Sequence, residues 1–385
     1  MTNDKDTLLR VLAIRQELSK TSTKKYDALR DAVCADGRVR GIMEFYGANR
    51  TGRYAGRIVQ PQNLPRTHLA AIDAARDFTK AGDAEALRFG WGSVNDTLSQ
   101  LIRTALVPAE GLRFVDADFS AIEARVIAWL AAEQWVLDVF NTTGNIYEAT
   151  ASQMFGVPME KIVKGQPEYE LRQRGKVAQL ACGYGGSTKA MERMDTKHKI
   201  DPAEYPALVQ KWRDTNPRIV SLWRETNDAA VSAMNGDPAW VQGKVRFQLE
   251  APGDLTFLTA LLPSGRKLFY ASPHMGQNRF GSESIHYMGQ NQITRKWEAT
   301  ETYGGKLVEN LVQAIARDLL CEKIEALEAR GFPVVFSVHD EVICELPPER
   351  AVLKDVVAIM AAPVDWAAGL PLNAAGWVGD YYTKD

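Results

Sequence analysis

The chain has 385 residues, enough for a large core split among two or three subdomains, and its 46 Lys and Arg nearly balance its 48 Asp and Glu, for a net charge of −2. That total advertises no polyanionic partner, yet the charge is segregated into two basic runs, Arg50, Arg53, Arg57 and Arg66, then Lys161, Lys164, Arg172, Arg174 and Lys176, and local basic surface is what phosphate contacts need. No uninterrupted apolar span is long enough to cross a membrane, the polar start Met1-Thr2-Asn3-Asp4-Lys5-Asp6 is unlike a secretory signal, and Cys34, Cys182, Cys321 and Cys344 lack CxxC spacing, which argues for reduced thiols and against zinc.

In chain order, residues 7–33 read as one or two helices rich in Leu, Ala and alternating charge, and the Gly- and Arg-rich stretch 37–66 as strand and loop. Residues 67–135 contain a short strand, Leu112-Arg113-Phe114-Val115-Asp116-Ala117-Asp118, marked by aromatic and β-branched content with two acids two residues apart. From Ile122 the period turns helical, with Ile122, Val126, Ala128, Trp129 and Leu130 on an apolar face. A carboxylate at a strand end just before a helix is held rigidly and still reaches a metal. Mg²⁺ takes one or two protein carboxylates together with substrate phosphates and water. Taken alone, the segment suits an acidic strand end facing solvent equally well.

Residues 136–300 read as mostly helical at first and then, after Gly236, as polar, Gly- and Pro-containing loops with short strands, 262–270 among them. Arg172, Lys176, Leu180 and Tyr184 recur every four residues and so line one helical face, and Gly183, Gly185 and Gly186 then loosen that helix. Cations suit phosphates and a ring suits a base or sugar, although a solvated basic face would have the same spacing. Residues 301–330 read as a long helix. After it, Phe332-Pro333-Val334-Val335-Phe336-Ser337-Val338 and Val342-Ile343-Cys344-Glu345-Leu346 are apolar runs separated only by His339, Asp340 and Glu341, which predicts a tight hairpin. Its tip has no Gly or Asn, so ordinary turn chemistry explains it poorly. A second carboxylate from a different strand is what a two-metal centre requires. No internal repeat or low-complexity tract is present.

Together, in this order, the three stretches resemble the polymerase core of the family A DNA polymerases, the bacterial DNA polymerase I type, and most of all its phage-encoded members. Asp118-Phe119-Ser120-Ala121-Ile122-Glu123-Ala124-Arg125 is similar to the family's first motif, Asp-Tyr-Ser-Gln-Ile-Glu-Leu-Arg, departing at Phe119, Ala121 and Ala124. Arg172 to Gly185 has the second motif's spacing of Arg, Lys and Tyr-Gly, with Leu180 where the family has Phe or Tyr, and His339-Asp340-Glu341 matches the third without change. Thr51-Gly52-Arg53 leading to Gln62-Asn63-Leu64-Pro65-Arg66 resembles the segment that holds the primer terminus, and Gln313 falls on the helix beside the primer–template minor groove. The resemblance covers roughly residues 40 to 385.

It implies an α+β fold, a right-hand palm of antiparallel sheet and helices with largely helical fingers and the thumb mostly absent. Residues 1–40 would be N-terminal helices left from the thumb, 41–135 and 301–385 the palm, and 136–300 the fingers. The implied activity is template-directed addition of deoxynucleotides to a primer 3′-hydroxyl. Asp118, Asp340 and the Phe119 carbonyl would hold two Mg²⁺ ions, with Mn²⁺ as a substitute, and Glu341 is an auxiliary acid. Lys176 would protonate pyrophosphate, and Arg172, Lys176, Leu180, Tyr184, Glu123 and Tyr147 would surround the nucleotide. Tyr147 stands where many relatives place a phosphate-contacting His and Glu123 where a bulky acid blocks the ribose 2′-hydroxyl, while Arg53, Gln62, Gln313, His339 and Gly185 would meet the DNA. The expected partners are primer–template DNA, dNTPs and a separate thumb, exonuclease or processivity subunit, with no proofreading site in this chain, no membrane, and work in the cytoplasm of a bacterium or a phage-infected host. Two other readings share part of the pattern: a single-subunit RNA polymerase, against which Glu123 and Glu341 speak, and a non-catalytic DNA-binding or structural remnant, which would be expected to have lost a metal ligand or the cationic helix.

Overall fold

The structure, a computed structural model, describes residues 2–18, 21–278, 280–291 and 294–384. Ser19 and Lys20, inside the first stretch expected to be helical, lie outside the described residues; on either side run the helices Thr2–Leu18 and Lys24–Ala32. Mixed helix and antiparallel sheet, 49% and 20% of the chain, bear out the α+β expectation. In chain order the strands are β1 (Met43–Ala48), β2 (Arg53–Gly56), β3 (Arg113–Phe119), β4 (Ala239–Val241), β5 (Val245–Glu250), β6 (Phe257–Leu261), β7 (Lys267–Gln277), β8 (Glu283–Gln290), β9 (Trp297–Thr302), β10 (Val334–Val338), β11 (Glu341–Leu346) and β12 (Ala374–Gly379). The chain divides into two units, one of residues 1–119, 320–361 and 374–385, the other of 120–319 and 362–373.

The first unit is organised by a four-stranded antiparallel sheet in the order β10-β11-β3-β12. Its central strands β11 and β3 are buried along nearly their whole length, their acids Asp116, Glu341 and Glu345 included. The helix Leu353–Ala361 lies against β3 and β12, and Ile102, Phe114, Phe336, Val338, Ile343 and Tyr382 fill the core beside the sheet. Tyr382 is fully buried and edge-on to Phe336, ring centroids 5.2 Å apart, and its hydroxyl accepts a 2.8 Å hydrogen bond from Arg103 Nη1. β1 and β2 form a separate hairpin in the same unit.

In the second unit, helices including Ile122–Ala131, Ile146–Phe155, Leu171–Cys182 and Pro217–Met234 accompany a six-stranded antiparallel meander, β4 to β9 in sequence order. The loops expected after Gly236 are therefore mostly strand. Turn residues such as Gly265 and polar residues on one strand face blurred the alternation, and β7 shifts register between Ala271 and His274. Ile122–Ala131 is buried on almost every side, Arg125 included, rather than on one apolar face. Arg125 tolerates this because Nε donates to the Ser120 carbonyl and Nη1 to that of Pro371. The long helix is Gly304–Ala329, close to the expected span, and all four cysteines are free.

Two features of the four-stranded sheet are open to test. A Cβ on Gly376 would lie 1.8 Å from the Asp116 carbonyl oxygen across the β12–β3 pair, so Gly376→Ala must push the strands apart. We expect it to lower the unfolding free energy by about 2–3 kcal/mol, measured by denaturant titration. Asp116 itself is 3% exposed and its carboxyl is pushed up to about 10, by burial first and then by Glu341 and Asp118. Between its ordinary 3.8 and about 10 the folded chain keeps a proton that the unfolded chain has lost, so stability falls as pH rises through that window. Asp116→Asn, which mimics the protonated form, should therefore raise the Tm in chelator at pH 8 and change it little at pH 4. An equal effect at both pH values would show that Asp116 is not held protonated.

Candidate active site

The register of β3 against β11 places Asp118 opposite Glu341, and β11 follows directly on the turn residues His339 and Asp340. Val338 pairs with Glu341, so the turn is a two-residue loop, yet it contains no glycine and His339 stands at φ 60°. A non-glycine residue in the left-handed region costs about 1 kcal/mol or more, strain that surrounding structure must hold in place. The Phe119 N–H donates to the Asp340 carbonyl over 3.2 Å, which ties the turn to the end of β3. Asp118, Phe119, His339, Asp340 and Glu341 are thus brought together, with Asp116 two pairs further along the sheet, opposite Ile343.

Crowded carboxylates raise one another's proton affinity. Asp340 is pushed up to about 7, by burial first and then by Asp118. Asp118 is also raised by burial, against the pull of Lys384 and Arg66. Lys384 Nζ lies 3.0 Å from Asp118 Oδ2 and closer still to Glu341. Asp118 Oδ1 and Glu341 Oε1 remain buried with no hydrogen-bond partner. Hard carboxylate oxygens, the buried and unsatisfied Asp118 Oδ1 among them, fit a hard divalent cation such as Mg²⁺. Among the described residues no group of three or more His, Cys, Asp or Glu forms a complete metal cage. A pair of carboxylates completed by substrate oxygens and water is the arrangement Mg²⁺ prefers.

Arg53 and Gln62 belong to the same unit as this cluster. Arg53 opens β2, and its charge acts on both His339 and Asp340. The His339 imidazole is lowered, by burial first and then by Arg53 and Lys384, and a backbone hydrogen bond links it to Gln62. At neutral pH it is therefore uncharged, and it offers a hydrogen bond rather than a cation.

In the second unit, Arg172, Lys176 and Leu180 share a face of the helix Leu171–Cys182, and Leu180 is 46% exposed. Tyr184 lies just beyond that helix rather than on it, past Gly183, and Gly185 takes the left-handed conformation at φ 78°. Tyr147 is a more intimate partner than its sequence position suggests: Arg172 Cζ and Lys176 Nζ lie 5.5 and 5.7 Å from its ring centroid. Arg172 Nε also donates to Glu148 Oε1 over 2.5 Å. This packing requires Gly175, where a Cβ would come within 2.6 Å of the Tyr147 carbonyl. The Tyr184 hydroxyl donates to Glu123 Oε2 over 2.8 Å. Gln313 is half-buried in the middle of Gly304–Ala329. Sequence reasoning passed over Lys384 because a single lysine after Tyr381-Tyr382-Thr383 has no pattern to mark it, and it placed Arg66 in a basic run and in the segment resembling the primer-terminus holder but not beside Asp118.

Residues 1–236 match the sequence profile of DNA polymerase family A. A DNA polymerase of Bacillus phage SP02 is 49% identical over 387 residues, which cover 100% of this chain and 58% of the relative. The thermostable DNA polymerase I of Thermus aquaticus is 26% identical over 295 residues, 74% of this chain and 29% of the relative. The chain thus spans a little over half the length of the phage relative and less of the other. Among solved structures, the POL domain of Pol1 from M. smegmatis, in complex with DNA primer-template and dNTP, superposes with a TM-score of 0.56 at 20% identity, over 92% of this chain and 50% of that one. By the match over its first 236 residues, this chain belongs to DNA polymerase family A.

Proposed function

We propose that the chain is a DNA-directed DNA polymerase that adds deoxynucleotides to a primer 3′-hydroxyl on a DNA template. The observation that carries this reading is the pairing of β3 with β11, which sets carboxylates from two strands, Asp118 and the Asp340–Glu341 turn, beside one another. Asp118, Asp340 and the Phe119 carbonyl would hold two Mg²⁺ ions, with Mn²⁺ as a substitute, and the bound ions would lower the barrier to attack by the primer hydroxyl and to departure of pyrophosphate. Arg172 and Lys176 would neutralise the triphosphate, and Lys176 would return a proton to pyrophosphate. Tyr147 lies beside both cations, 5.5 Å from Arg172 Cζ and 5.7 Å from Lys176 Nζ by its ring centroid. Glu123, held by Tyr184, fills the space that a ribose 2′-hydroxyl would need, and Leu180 gives the sugar an apolar contact. Tyr184 and Gly185 bound the templating position, and Arg53, Gln62, His339 and Gln313 meet primer and template. The family resemblance supports the division into a palm carrying the four-stranded sheet and fingers carrying the helix Leu171–Cys182. No helix among the described residues is long and apolar enough to cross a membrane, and we place the enzyme in the host cytoplasm with the DNA it copies.

Primer extension with Mg²⁺ tests the reading. Asp118→Ala and Asp340→Ala should each slow extension by about 10²–10³-fold, the scale of one lost electrostatic stabiliser, while primer–template affinity changes little because phosphate contacts dominate it. Asp116→Asn is the control. A carboxyl already held neutral is no metal ligand, so that variant should retain extension, and a dead Asp116→Asn beside an active Asp118→Ala would reverse the assignment. For sugar choice, Glu123→Ala should raise ribonucleotide incorporation by about tenfold or more, with a smaller loss of normal synthesis. Tyr184→Phe, which removes the hydroxyl's hydrogen bond to Glu123 and keeps the acid, should shift selectivity the same way by less. Equal use of both sugars by the unaltered protein would refute the steric role of Glu123.

A further inference from the structure

Four acids, Asp116, Asp118, Asp340 and Glu341, gather at one end of the four-stranded sheet, and the chain supplies its own cation to them. Lys384 Nζ bridges Asp118 Oδ2, at 3.0 Å, and Glu341 Oε2, which is nearer. This is no loosely tethered surface lysine. Two residues earlier Tyr382 is fully buried, its N–H donating to the Leu106 carbonyl over 2.9 Å and its hydroxyl accepting from Arg103 over 2.8 Å. That anchor fixes where the lysine stem starts, and the stem's reach ends at the carboxylates. The ammonium satisfies one oxygen of each acid and leaves Asp118 Oδ1 and Glu341 Oε1 buried without partners.

A single positive charge shared by two carboxylates is an incomplete neutralisation, and a divalent ion at Asp118 supplies what is missing. The two cations cannot both take Asp118 Oδ2 without bringing like charges together. Resting on the metal-dependent reading of this site, we propose that Lys384 is a built-in counter-ion that occupies Asp118 until a divalent ion displaces it, and that it then stays with Glu341. Burial decides which partner is given up: the Glu341 side chain is 2% exposed and the Asp118 side chain 34%, so an unpaired Glu341 would cost more. Glu341 is thereby kept out of the metal's coordination by its own lysine, and Asp118 is released to it. Lys384 acts through these acids as a positioning residue and touches no substrate in this scheme.

Mn²⁺ alone is the probe. Its binding to the full chain is followed by electron paramagnetic resonance in the unaltered protein and in Asp118→Asn, Lys384→Met and Lys384→Arg, and the Tm is measured in chelator and in Mn²⁺. Loss of the tight Mn²⁺ component in Asp118→Asn identifies the site; if that variant binds as the unaltered protein does, the metal-site reading fails and the proposal falls with it. Lys384→Met should bind Mn²⁺ about fivefold more tightly, the scale of one partly exposed ion pair removed. It should also melt lower in chelator, with the deficit narrowing in Mn²⁺ as the ion replaces the missing charge. A merely structural lysine would give the lower Tm without the tighter binding, and unchanged or weaker Mn²⁺ affinity in a folded Lys384→Met overturns the proposal. If Lys384→Met does not fold, Lys384→Arg decides. Its two-pronged guanidinium should grip Asp118 harder and weaken Mn²⁺ binding, and equal or tighter binding by that variant overturns the proposal as well.

Discussion

The register between β3 and β11 is the constraint on which the first unit turns. Because Asp118 lies opposite Glu341 and the turn before β11 is only two residues long, three carboxylates have no freedom to spread apart. Folding therefore concentrates negative charge in partly dehydrated surroundings, and the structure offsets it in several ways at once. Asp116 is held protonated, Asp340 has its proton affinity raised, Lys384 bridges two acids, and Arg53 and Arg66 lend charge nearby. A cluster assembled at this cost is poorly explained as scaffolding, since an apolar strand end would be cheaper to bury. It is well explained as a place where a cation is needed.

The second unit meets the opposite problem, that of holding two cations on one helix face without scattering them. Its solution is close helix packing. Gly175 lets the helix Leu171–Cys182 approach Ile146–Phe155 so nearly that the Tyr147 ring lies beside both Arg172 and Lys176. Glu148 then fixes the Arg172 guanidinium from the same neighbouring helix. The aromatic ring attracts the cations through its electron-rich face without neutralising them, so the Lys176 charge stays available to an anion while Glu148 shares that of Arg172.

Much of this was legible in the sequence where the signal is local. The hairpin around His339-Asp340-Glu341 announces itself because two apolar runs flank three polar residues, and the Arg172–Lys176–Leu180 face because a helix repeats nearly every four. What escaped notice depends on contacts between residues far apart in the chain. Nothing in the spacing says that Tyr184 leaves the helix after Cys182 and turns its hydroxyl to Glu123, or that Lys384 returns to Asp118. The β4–β9 meander reads from sequence as loops with short strands, 262–270 among them, and its extent is missed for a different reason. Its strands carry polar residues on one face and glycine turns between them, and at single-sequence level that composition looks like irregular chain.

The bond from Tyr184 to Glu123 has a consequence for how such a sequence can vary. On the proposed reading one partner bounds the templating position and the other screens the sugar, so two selections share a hydrogen bond. A substitution at either end reaches both. Replacing Glu123 to admit a different sugar takes a hydrogen bond from the tyrosine beside the template, and replacing Tyr184 to alter template handling takes one from the acid beside the sugar. The pair then behaves as one inherited character, and viable descendants are expected to change positions 123 and 184 together or leave both alone.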